Sequence, residues 1–356
     1  MGTAATDLLL TELVRRVTGN GDAWIASLRE ERFEPSPGSA ATGGLRRLTG
    51  TTAEGQHWSF FVKSINSPRH WPHLGMLPEG LRAEFIAALP WRAEAEAYRA
   101  DVRLPEGLRM PRLHLIDDLG DDRLDLWLED VESDQTEWEL TRYDRAAHLL
   151  GGLAARNPAP PPAMSNLRGY VQGRIVRGVL PELRDPALWQ HPLVAPFADA
   201  RLRADLLALG ERIPELLDAA DRLPHTMVHG DSSPHNLLVT PDGEFVALDW
   251  GWYSSHPVGF DLGQLLVGLA HEGLTPAGEL PALHATIEAA YLRGLAEGGG
   301  PVEHASAGYR ISLVLRSAFT AIPAERLAEP ATPELTELCR RRIGLARFLT
   351  DLGHAL

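Results

Sequence analysis

The chain has 356 residues and a net charge of -14, with 34 basic side chains against 48 acidic ones. This length accommodates two compact lobes, and the acidic balance argues against nucleic acid as a partner, because a phosphate backbone requires a basic surface. One cysteine, no basic and apolar leader and no run of about eighteen apolar residues predict a cytoplasmic protein without disulfides or membrane spans.

The N-terminal part of the chain is predicted to begin with a helix and a glycine-rich pair of strands. Apolar residues at helical spacing predict a helix over residues 6–17. Residues 32–55 are rich in Pro, Gly, Ser and Thr, which predicts two short strands around a glycine turn. Gly43 and Gly44 lack a Cβ, and we expect them to let the backbone approach a ligand in this turn.

Lys63 is the only lysine of the chain, since every other basic side chain among the 34 is arginine. A lysine retained in such a chain indicates a site where the planar guanidinium does not serve. It stands near the end of the apolar and aromatic segment HWSFFVKS at 57–64, which predicts a strand. A chance surface lysine is the alternative, but the strand position favours a functional role.

Two glutamates of the next helix compete for one inward position. A helix is predicted over 81–101, broken or bent at Pro90. Glu94 and Glu96 are two residues apart, so they point to different sides of the helix and only one of them turns inward. Tyr98 follows Glu94 by four residues and shares its side. We therefore favour Glu94 as the inward carboxylate.

Two further strands lead to a predicted boundary between lobes. Residues 111–117 and 123–131 alternate like strands, and the acidic segment EDVESDQTEWE follows directly. This segment is either a solvated hinge surface or a negative lip beside the cleft that attracts cationic substrates. The strand pattern then gives way to helices, which predicts an N-lobe over 1–130 and a C-lobe over 131–356.

The C-lobe is predicted to be mainly helical, with a proline-rich break at 157–164. Its helices are predicted over 141–155, 198–221, 259–272, 280–298, 303–321 and 333–353.

The richest cluster of polar side chains surrounds the sequence HGDSSPHN, where a loop precedes a predicted hairpin. Strands are predicted over 236–239 and 244–249, joined by the turn sequence TPDG. This hairpin places Asn236 at the start of one strand and Asp249 at the end of its partner, with Asp231 on the loop before them. Three oxygen-bearing side chains are therefore expected at one end of the hairpin.

The chemistry of this set indicates phosphoryl transfer. Two carboxylates and an amide oxygen are hard ligands that suit magnesium, whereas zinc prefers His and Cys. Neither the HExxH pattern of a metalloprotease nor the GxSxG elbow of a serine hydrolase is present. There remain an aspartate able to take a proton from an alcohol, and an Asn and an Asp able to hold magnesium on a nucleotide's phosphates.

The pattern HGDxxxxN, followed thirteen residues later by DW and then by DLG at 261–263, resembles the aminoglycoside phosphotransferase family of small-molecule kinases. FFVKS resembles the third strand of a kinase N-lobe, WRAEAEAYR the helix whose Glu pairs with that Lys, and LWLEDV the strand before the hinge. The glycine-rich segment departs from GxGxxG. The resemblance implies an α+β, bilobal protein-kinase-like fold with a small antiparallel-sheet N-lobe and a larger, mainly helical C-lobe.

The resemblance also implies which N-lobe residues bind ATP or GTP. Lys63 would hold the α and β phosphates, and Glu94 would orient it. Gly43 and Gly44 would approach the nucleotide from the glycine-rich segment, and the backbone of Glu129–Val131 would receive the base.

For the C-lobe, the resemblance implies that Asp231 is the catalytic base toward the substrate hydroxyl. Asn236 and Asp249 would be the Mg²⁺ ligands. His229 and Asp261 would be structural supports, His229 by bracing the loop and Asp261 by tying the following helix back to it.

The remaining polar and aromatic residues of the region have less defined roles. Glu272, at the end of the helix after the DLG sequence, is a candidate contact for the acceptor. His235 and His256 are expected to be loop residues rather than ligands. The aromatic side chains after the metal-binding aspartate either stack on a substrate ring or pack against the C-lobe helices; these are Trp250, Trp252 and Tyr253.

The predicted reaction is transfer of the ATP γ-phosphate to a hydroxyl of a small molecule. The acceptor expected first is an aminoglycoside-like or nucleoside-like antibiotic. The acidic segment EDVESDQTEWE would favour a cationic acceptor. A sugar, amino alcohol or other metabolite is the alternative acceptor. A nucleotide-binding pseudokinase that acts as a regulatory module is the rival from another class. It would be expected to lack one of four residues that this chain has, namely Lys63, Asp231, Asn236 and Asp249. A protein kinase proper is disfavoured by HGD in place of HRD and by the absence of an APE segment.

Overall fold

The structure, a computed structural model, describes residues 3–35, 39–134, 136–162 and 166–356. It divides into two compact units. The N-terminal unit consists of residues 1–101 and 110–132, and the C-terminal unit of residues 102–109 and 133–356. The short segment 102–109 therefore belongs to the C-terminal unit although it lies between two parts of the N-terminal one.

The N-terminal unit contains a five-stranded sheet of order β1-β2-β3-β6-β5, in which all neighbours are antiparallel. Its strands are β1 (Ile25–Phe33), β2 (Thr42–Thr52), β3 (His57–Asn66), β5 (Leu113–Gly120) and β6 (Arg123–Leu128), and its helices are α1 (Thr3–Thr18), α2 (Glu79–Ala88) and α3 (Ala93–Arg99). Strand β4 (Leu108–Arg109) is part of the C-terminal unit.

Alternation along β3 gives this sheet two different faces. Phe60 and Val62 point to one face, where they are fully buried in a cluster with residues of α1. Ile65 points to the other face and packs in a cluster with Ala95 of α3. Lys63 shares the parity of Ile65, so its side chain is directed to the face that α3 covers.

One sequence prediction for this unit needs correction, and another, the break at Pro90, is confirmed. Gly43 and Gly44 lie inside β2 instead of in a turn, because β2 begins at Thr42 and pairs with β3 from there. Residues 36–38 of the predicted glycine-rich turn lie outside the described residues. The helix predicted over 81–101 is two helices, α2 and α3, interrupted around Pro90 as expected for a residue without an N–H.

The C-terminal unit is mainly helical and carries two small sheets, of order β4-β10-β9 and β11-β8-β7. Its helices are α4 (Leu140–Arg156), α5 (Asn166–Tyr170), α6 (Leu180–Arg184), α7 (Pro186–Gln190), α8 (Ala200–Glu211), α9 (Ile213–Asp221), α10 (Leu262–His271), α11 (Leu280–Glu297), α12 (Val302–Leu313) and α13 (Pro333–His354), with π-helical segments at Val171–Val179 and Val314–Ala318. Its further strands are β7 (Pro158–Ala159), β8 (His225–Val228), β9 (Leu237–Val239), β10 (Phe245–Ala247) and β11 (Ser254–Pro257).

Helices α4 and α11 cross at a distance that only glycine permits. A Cβ on Gly151 would lie 2.2 Å from the Tyr291 carbonyl oxygen, and a Cβ on Gly294 would lie 2.0 Å from the His148 carbonyl oxygen. Both distances are far below contact, so the two backbones touch directly.

Among the described residues, none of the helices is long and apolar enough to span a membrane.

The single helix predicted over 198–221 is wrong in one respect, since it is two helices. Helix α8 ends at Glu211 and α9 begins at Ile213. Pro214 lies in the first turn of α9, where its missing N–H costs nothing, but it cannot continue a preceding helix. The two strands of the hairpin are also shorter than the predicted 236–239 and 244–249. Strand β9 begins one residue after Asn236, and β10 ends before Asp249.

Candidate active site

Lys63 and Glu94 form a buried ion pair in the N-terminal unit. The Lys63 Nζ lies 2.6 Å from Glu94 Oε2, and the two side chains are 9% and 3% exposed. Lys63 sits in the middle of the sheet, paired with Leu45 of β2 and Leu126 of β6. Glu94 is in the first turn of α3, where the helix dipole favours a carboxylate. Glu96 is exposed, so the inward carboxylate is the one that the spacing favoured.

The glycines of β2 approach protein atoms of the same unit. A Cβ on Gly43 would lie 2.1 Å from Asn66 Oδ1, whereas a Cβ on Gly44 would meet only Ser64 Oγ, at 4.0 Å. The pairing of β2 with β3 is irregular between Thr42 and Gly44. Glycine at position 43 is therefore explained by the buried Asn66 side chain, and a nucleotide contact at either glycine stays a prediction.

The predicted base-binding segment begins with a residue whose N–H is already used. The Glu129 N–H donates to the Arg112 carbonyl at 2.9 Å, and Glu129 Oε2 accepts from the Arg112 N–H at 2.9 Å. A cavity of about 690 Å³ is lined by Glu129 and by Trp58 and His114, but not by Lys63. Any contact of this segment with a nucleotide base must therefore use other backbone groups, such as the carbonyl of Glu129 or the amide of Val131.

In the C-terminal unit, a glycine shapes the loop after β8. Gly230 has a φ of 86°, in the left-handed region. A Cβ there would lie 2.4 Å from the carbonyl oxygen of Trp252. Because both conditions exclude other residues, the Gly of the HGD sequence lets the loop turn against the backbone that follows the hairpin.

His229 and Asp261 stabilise this loop through hydrogen bonds to its backbone. His229 is fully buried, its Nε2 lies 2.7 Å from the Leu248 carbonyl oxygen, and its Nδ1 accepts from the Asp231 N–H at 3.2 Å. Asp261 accepts from the N–H groups of His229 at 3.2 Å and Gly230 at 2.7 Å. Burial raises the pKa of Asp261, and these donors oppose the shift. The contacts are those expected of structural supports.

Asp231 and Asn236 form one hydrogen-bonded unit. The Asn236 Nδ2 donates to the Asp231 carbonyl oxygen at 2.8 Å and to Asp231 Oδ2 at 3.2 Å. Asn236 ends a 3₁₀ turn, Pro234–Asn236, and its carbonyl oxygen accepts from the Leu248 N–H at 2.8 Å. With the amide nitrogen turned to Asp231, the Asn236 Oδ1 faces away from it and is the atom suited to a cation.

Asp249 stands just beyond the hairpin in a conformation that few residues adopt. Its φ is 56°, its side chain is exposed, and Oδ1 accepts from the Gly251 N–H at 3.4 Å. Left-handed backbone at a residue other than glycine is costly and is often found at functional sites. A carboxylate here and the Asn236 Oδ1 are hard oxygen donors that fit a magnesium ion, whose remaining positions water and phosphate oxygens would fill.

In the described ranges, no group of three or more His, Cys, Asp and Glu side chains could hold a metal ion. The pair of Asp249 and Asn236 supplies one carboxylate and one amide, so it is consistent with this finding. The donor set fits a cation bound together with a substrate better than a closed structural metal site.

Arg316 is a residue of the site that the sequence did not reveal. Its Nη1 donates to the Gly230 carbonyl oxygen at 2.5 Å, and its Nη2 donates to Asp231 Oδ1 at 3.1 Å. Its guanidinium also lies 4.5 Å from the ring centroid of Trp252. Arg316 follows Asp231 by 85 residues and lies in an unremarkable helical pattern, so no local signal could have identified it.

Glu272 lies beside the loop that carries His235. Its Oε1 is 2.9 Å from His235 Nε2, and both side chains are about half exposed. Glu272 also lines a cavity of about 440 Å³, together with Glu329, Glu334 and Arg326. The structure therefore brings Glu272 into contact with His235, the residue before Asn236, and a contact of Glu272 with an acceptor stays a prediction.

The environment of His256 and of the aromatic residues was only partly predicted. His256 is not a loop residue, because it lies in β11, is fully buried and stacks on Phe260 with ring centroids 3.8 Å apart. His235 is in the 3₁₀ turn and exposed. Trp250 is fully buried and packs edge to face on His229, whereas Trp252 is half-buried against the Arg316 guanidinium.

Comparison with known proteins identifies a family over most of the chain. The model described as "Phosphotransferase enzyme family" matches residues 82–308. This range contains the loop from His229 to Asn236, Asp249 and Asp261, whereas Lys63 and Arg316 lie outside it. No match was found among curated protein sequences.

Several solved structures are similar to the chain at low sequence identity. An aminoglycoside phosphotransferase from Streptomyces rimosus, in complex with ADP and streptomycin, is 15% identical, with a TM-score of 0.42 and coverage of 87% of this chain and 98% of that one. A putative fructosamine-3-kinase from Thermobifida fusca is 19% identical, with a TM-score of 0.42 and 96% of each chain covered. A macrolide 2'-phosphotransferase from Brachybacterium faecium is 16% identical, with a TM-score of 0.37 and coverage of 93% and 97%. With TM-scores below 0.5, these likenesses establish nothing about the substrate of this chain.

Proposed function

The chain belongs to the phosphotransferase enzyme family, and we propose that it transfers the γ-phosphate of ATP, as the magnesium complex, to a hydroxyl group of a small molecule. The predicted kinase-like α+β fold class and the predicted activity of a small-molecule phosphotransferase are confirmed. The residues that perform each step, the metal and the acceptor are the proposal.

Asp231 is the proposed catalytic base. As the acceptor oxygen attacks the γ-phosphorus, its O–H bond breaks and the proton passes to the Asp231 carboxylate. The new O–P bond forms, the bond from the γ-phosphorus to the bridging oxygen breaks, and ADP leaves with that oxygen. The observation that carries the proposal is the hydrogen bond of 3.2 Å between Asp231 Oδ2 and the Asn236 amide, which ties the base to a residue suited to hold the metal.

Asn236 and Asp249 are the residues that would hold Mg²⁺, through Oδ1 and the carboxylate. When bound, magnesium supplies charge neutralisation on the phosphate oxygens. In the N-terminal unit, Lys63 would bind phosphate oxygens, and Glu94 would keep its ammonium in one orientation through the 2.6 Å contact. Lysine serves as a point charge for phosphate, which accounts for its retention at one position in a chain of arginines.

A cationic acceptor, such as an aminoglycoside-like antibiotic, is the favoured substrate. The cavity beside Glu272 is lined by three glutamates and one arginine, a balance of three negative charges against one positive. Arg326 in this set is paired with Glu329 at 2.7 Å. Glu272 of this lining also contacts His235, the residue before Asn236. A cavity with this excess of negative charge attracts and orients a positively charged alcohol.

The experiment is an ADP-release assay with Mg-ATP and a panel of hydroxylated acceptors. The panel contains aminoglycosides, nucleoside antibiotics, sugars and amino alcohols, and mass spectrometry identifies the phosphorylated product. Asp231→Asn should lower kcat by about 10²–10⁴-fold, as for loss of a general base. Asp144→Asn, at an exposed aspartate paired with Arg293, is the control and should keep the wild-type rate. Wild-type activity of Asp231→Asn would refute the assignment of the base.

The acceptor class is tested with glutamine at the cavity. Glu272→Gln and Glu334→Gln should raise KM for a cationic acceptor by up to about 5-fold each, with a smaller effect at high salt. KM for ATP should not change. If the preferred acceptor is a neutral sugar and the two substitutions leave its KM unchanged, the cationic class is wrong while the phosphotransferase reaction stands. The same assay with GTP in place of ATP determines the nucleotide preference.

A further inference from the structure

We propose that Arg316 is a positioning residue that fixes the carboxylate of Asp231 for its reaction. The proposal rests on the function given above, because it assigns a partner to the base. Arg316 donates to two successive residues of the loop, through Nη1 to the Gly230 carbonyl oxygen and through Nη2 to Asp231 Oδ1. One side chain therefore holds both the backbone before the base and the base itself.

The guanidinium is enclosed by aromatic rings. Its central carbon lies 4.5 Å from the Trp252 ring centroid and 5.5 Å from that of Phe260. The side chain is 11% exposed, against 30% for Asp231. Charge-assisted hydrogen bonds are strong where water is scarce, and a planar guanidinium packed near two rings has little freedom to rotate. The contact with Asp231 is therefore rigid.

The backbone of Arg316 explains how it reaches the loop. Helix α12 ends at Leu313, and a π-helical turn, Val314–Ala318, continues from it. The flanking residues Leu315 and Ser317 are buried at 0% and 2% exposure. A π turn inserts an extra residue and changes the direction of its side chains, and such turns are frequent at functional sites. Here the wide turn anchors itself in the core and directs the arginine at the HGD loop.

The contacts distinguish the two oxygens of the Asp231 carboxylate. Arg316 occupies Oδ1 at 3.1 Å, and Asn236 Nδ2 contacts Oδ2 at 3.2 Å. Rotation of the carboxylate would break both hydrogen bonds, so the pair fixes its plane. The geometry points to Oδ2 as the atom that accepts the acceptor proton, on its side away from Asn236, while Oδ1 remains bound to Arg316 throughout. Loss of such orientation lowers the rate of the chemical step more than the binding of either substrate.

The test is steady-state kinetics of Arg316→Ala, Arg316→Lys and Arg316→Gln on the acceptor found in the panel. Arg316→Ala should lower kcat by about 10²-fold, the loss that follows a misplacement of about 1 Å, with KM for ATP and acceptor changed by less than about 3-fold. Arg316→Lys, which keeps one charged donor, should retain more activity than Arg316→Gln. Added guanidinium ion at millimolar concentration should restore kcat of Arg316→Ala at least about 10-fold, because the enclosed space between the rings accepts it.

Arg310→Ala is the matched control, since Arg310 also forms a two-point contact with a carboxylate, Glu288, in the same unit. It should show no rescue by guanidinium. A kcat of Arg316→Ala within about 3-fold of wild type, or equal rescue of both alanine variants, would overturn the proposal. If Arg316→Ala does not fold, the kcat of Arg316→Lys is compared with that of Arg316→Gln. A higher kcat for Arg316→Lys supports the proposal, and equal values overturn it.

The outcome for Asp231→Asn separates this proposal from the function on which it rests. If Asp231→Asn is inactive but Arg316→Ala, Arg316→Lys and Arg316→Gln all keep wild-type kinetics, only the positioning role is wrong. If Asp231→Asn is fully active, the assignment of the base is wrong whatever the arginine does.

Discussion

His256 provides a sharp test of the C-terminal unit, because it is a titratable group enclosed by the fold. Its side chain is fully buried, its ring stacks on Phe260 at 3.8 Å, and its Nε2 lies 2.8 Å from Ser254 Oγ. Burial, with smaller contributions from the charges of Arg316 and His225, lowers the pKa of His256 from 6.5 to about 3. The perturbation is His256→Gln, which removes the titration and keeps a polar group toward Ser254.

The sign and size of the effect follow from proton linkage. Below pH 6.5 the unfolded chain binds a proton at this histidine, and the folded chain does not until pH approaches about 3. The stability contributed by neutral His256 is therefore complete above pH 6.5 and is lost as pH falls below that value. At pH 5, proton binding at this histidine raises the equilibrium constant for unfolding by a factor of about 30 relative to pH 7.5, which lowers the free energy of unfolding by about 2 kcal/mol. Because pH 5 is well above the folded pKa, this loss depends mainly on the unfolded one.

The assay is urea denaturation followed by tryptophan fluorescence, for wild type and His256→Gln, at several pH values from 7.5 to 5. The variant should be less stable at pH 7.5, because it loses ring packing, but its free energy of unfolding should fall less on acidification, by about 2 kcal/mol. Comparing the two slopes cancels the contributions of the other histidines and the carboxylates. Equal pH dependence for both proteins would mean that His256 is protonated in the folded state, and the account of its burial would be wrong.

Three further predictions concern stability. Lys63→Met leaves the Glu94 carboxylate buried without its ion-pair partner and should cost about 3–5 kcal/mol in urea denaturation; adding Glu94→Leu should recover most of this loss without restoring activity. Gly230→Ala forces a Cβ to 2.4 Å from a backbone oxygen at a φ of 86° and should cost about 2–5 kcal/mol, so an unchanged melting temperature would contradict the loop geometry. Gly294→Ala should destabilise by at least about 1–3 kcal/mol, whereas Gly278→Ala, where no atom lies within 4 Å, should not, and equal melting temperatures would refute the close crossing of α4 and α11.

The order of helices and strands could be predicted from the sequence because those signals are local. Apolar periodicity placed β3, α4, α11 and α13 within a few residues of their observed bounds. The pattern HGDxxxxN with its second aspartate identified the family, since turn residues and polar residues at fixed spacing occupy adjacent positions of one loop and hairpin. Helix geometry also showed that only one of Glu94 and Glu96 turns inward, and Tyr98 on the side of Glu94 favoured that residue.

Errors arose where a local pattern has more than one structural outcome. Gly43 and Gly44 suit a turn or a strand, and the pairing of β2 with β3, which sets Asn66 against Gly43, decides for the strand. The amphipathic segment 198–221 is helical throughout in its pattern, but Pro214 divides it. His256 stands between Ser255 and Pro257, residue types common in loops, and only the pairing of β11 with β8 and the stacking on Phe260 decide for a buried strand position.

The sequence by itself indicated phosphoryl transfer, because the residue types of the HGD loop, the hairpin and the single lysine stand in short, continuous segments. The tertiary structure decided which distant side chains share that site. Arg316 reaches Asp231 across a sequence separation of 85 residues, and Glu272 meets His235 only because α10 ends beside the HGD loop. No periodicity or spacing encodes these contacts, since they depend on the packing of whole helices and on one π turn.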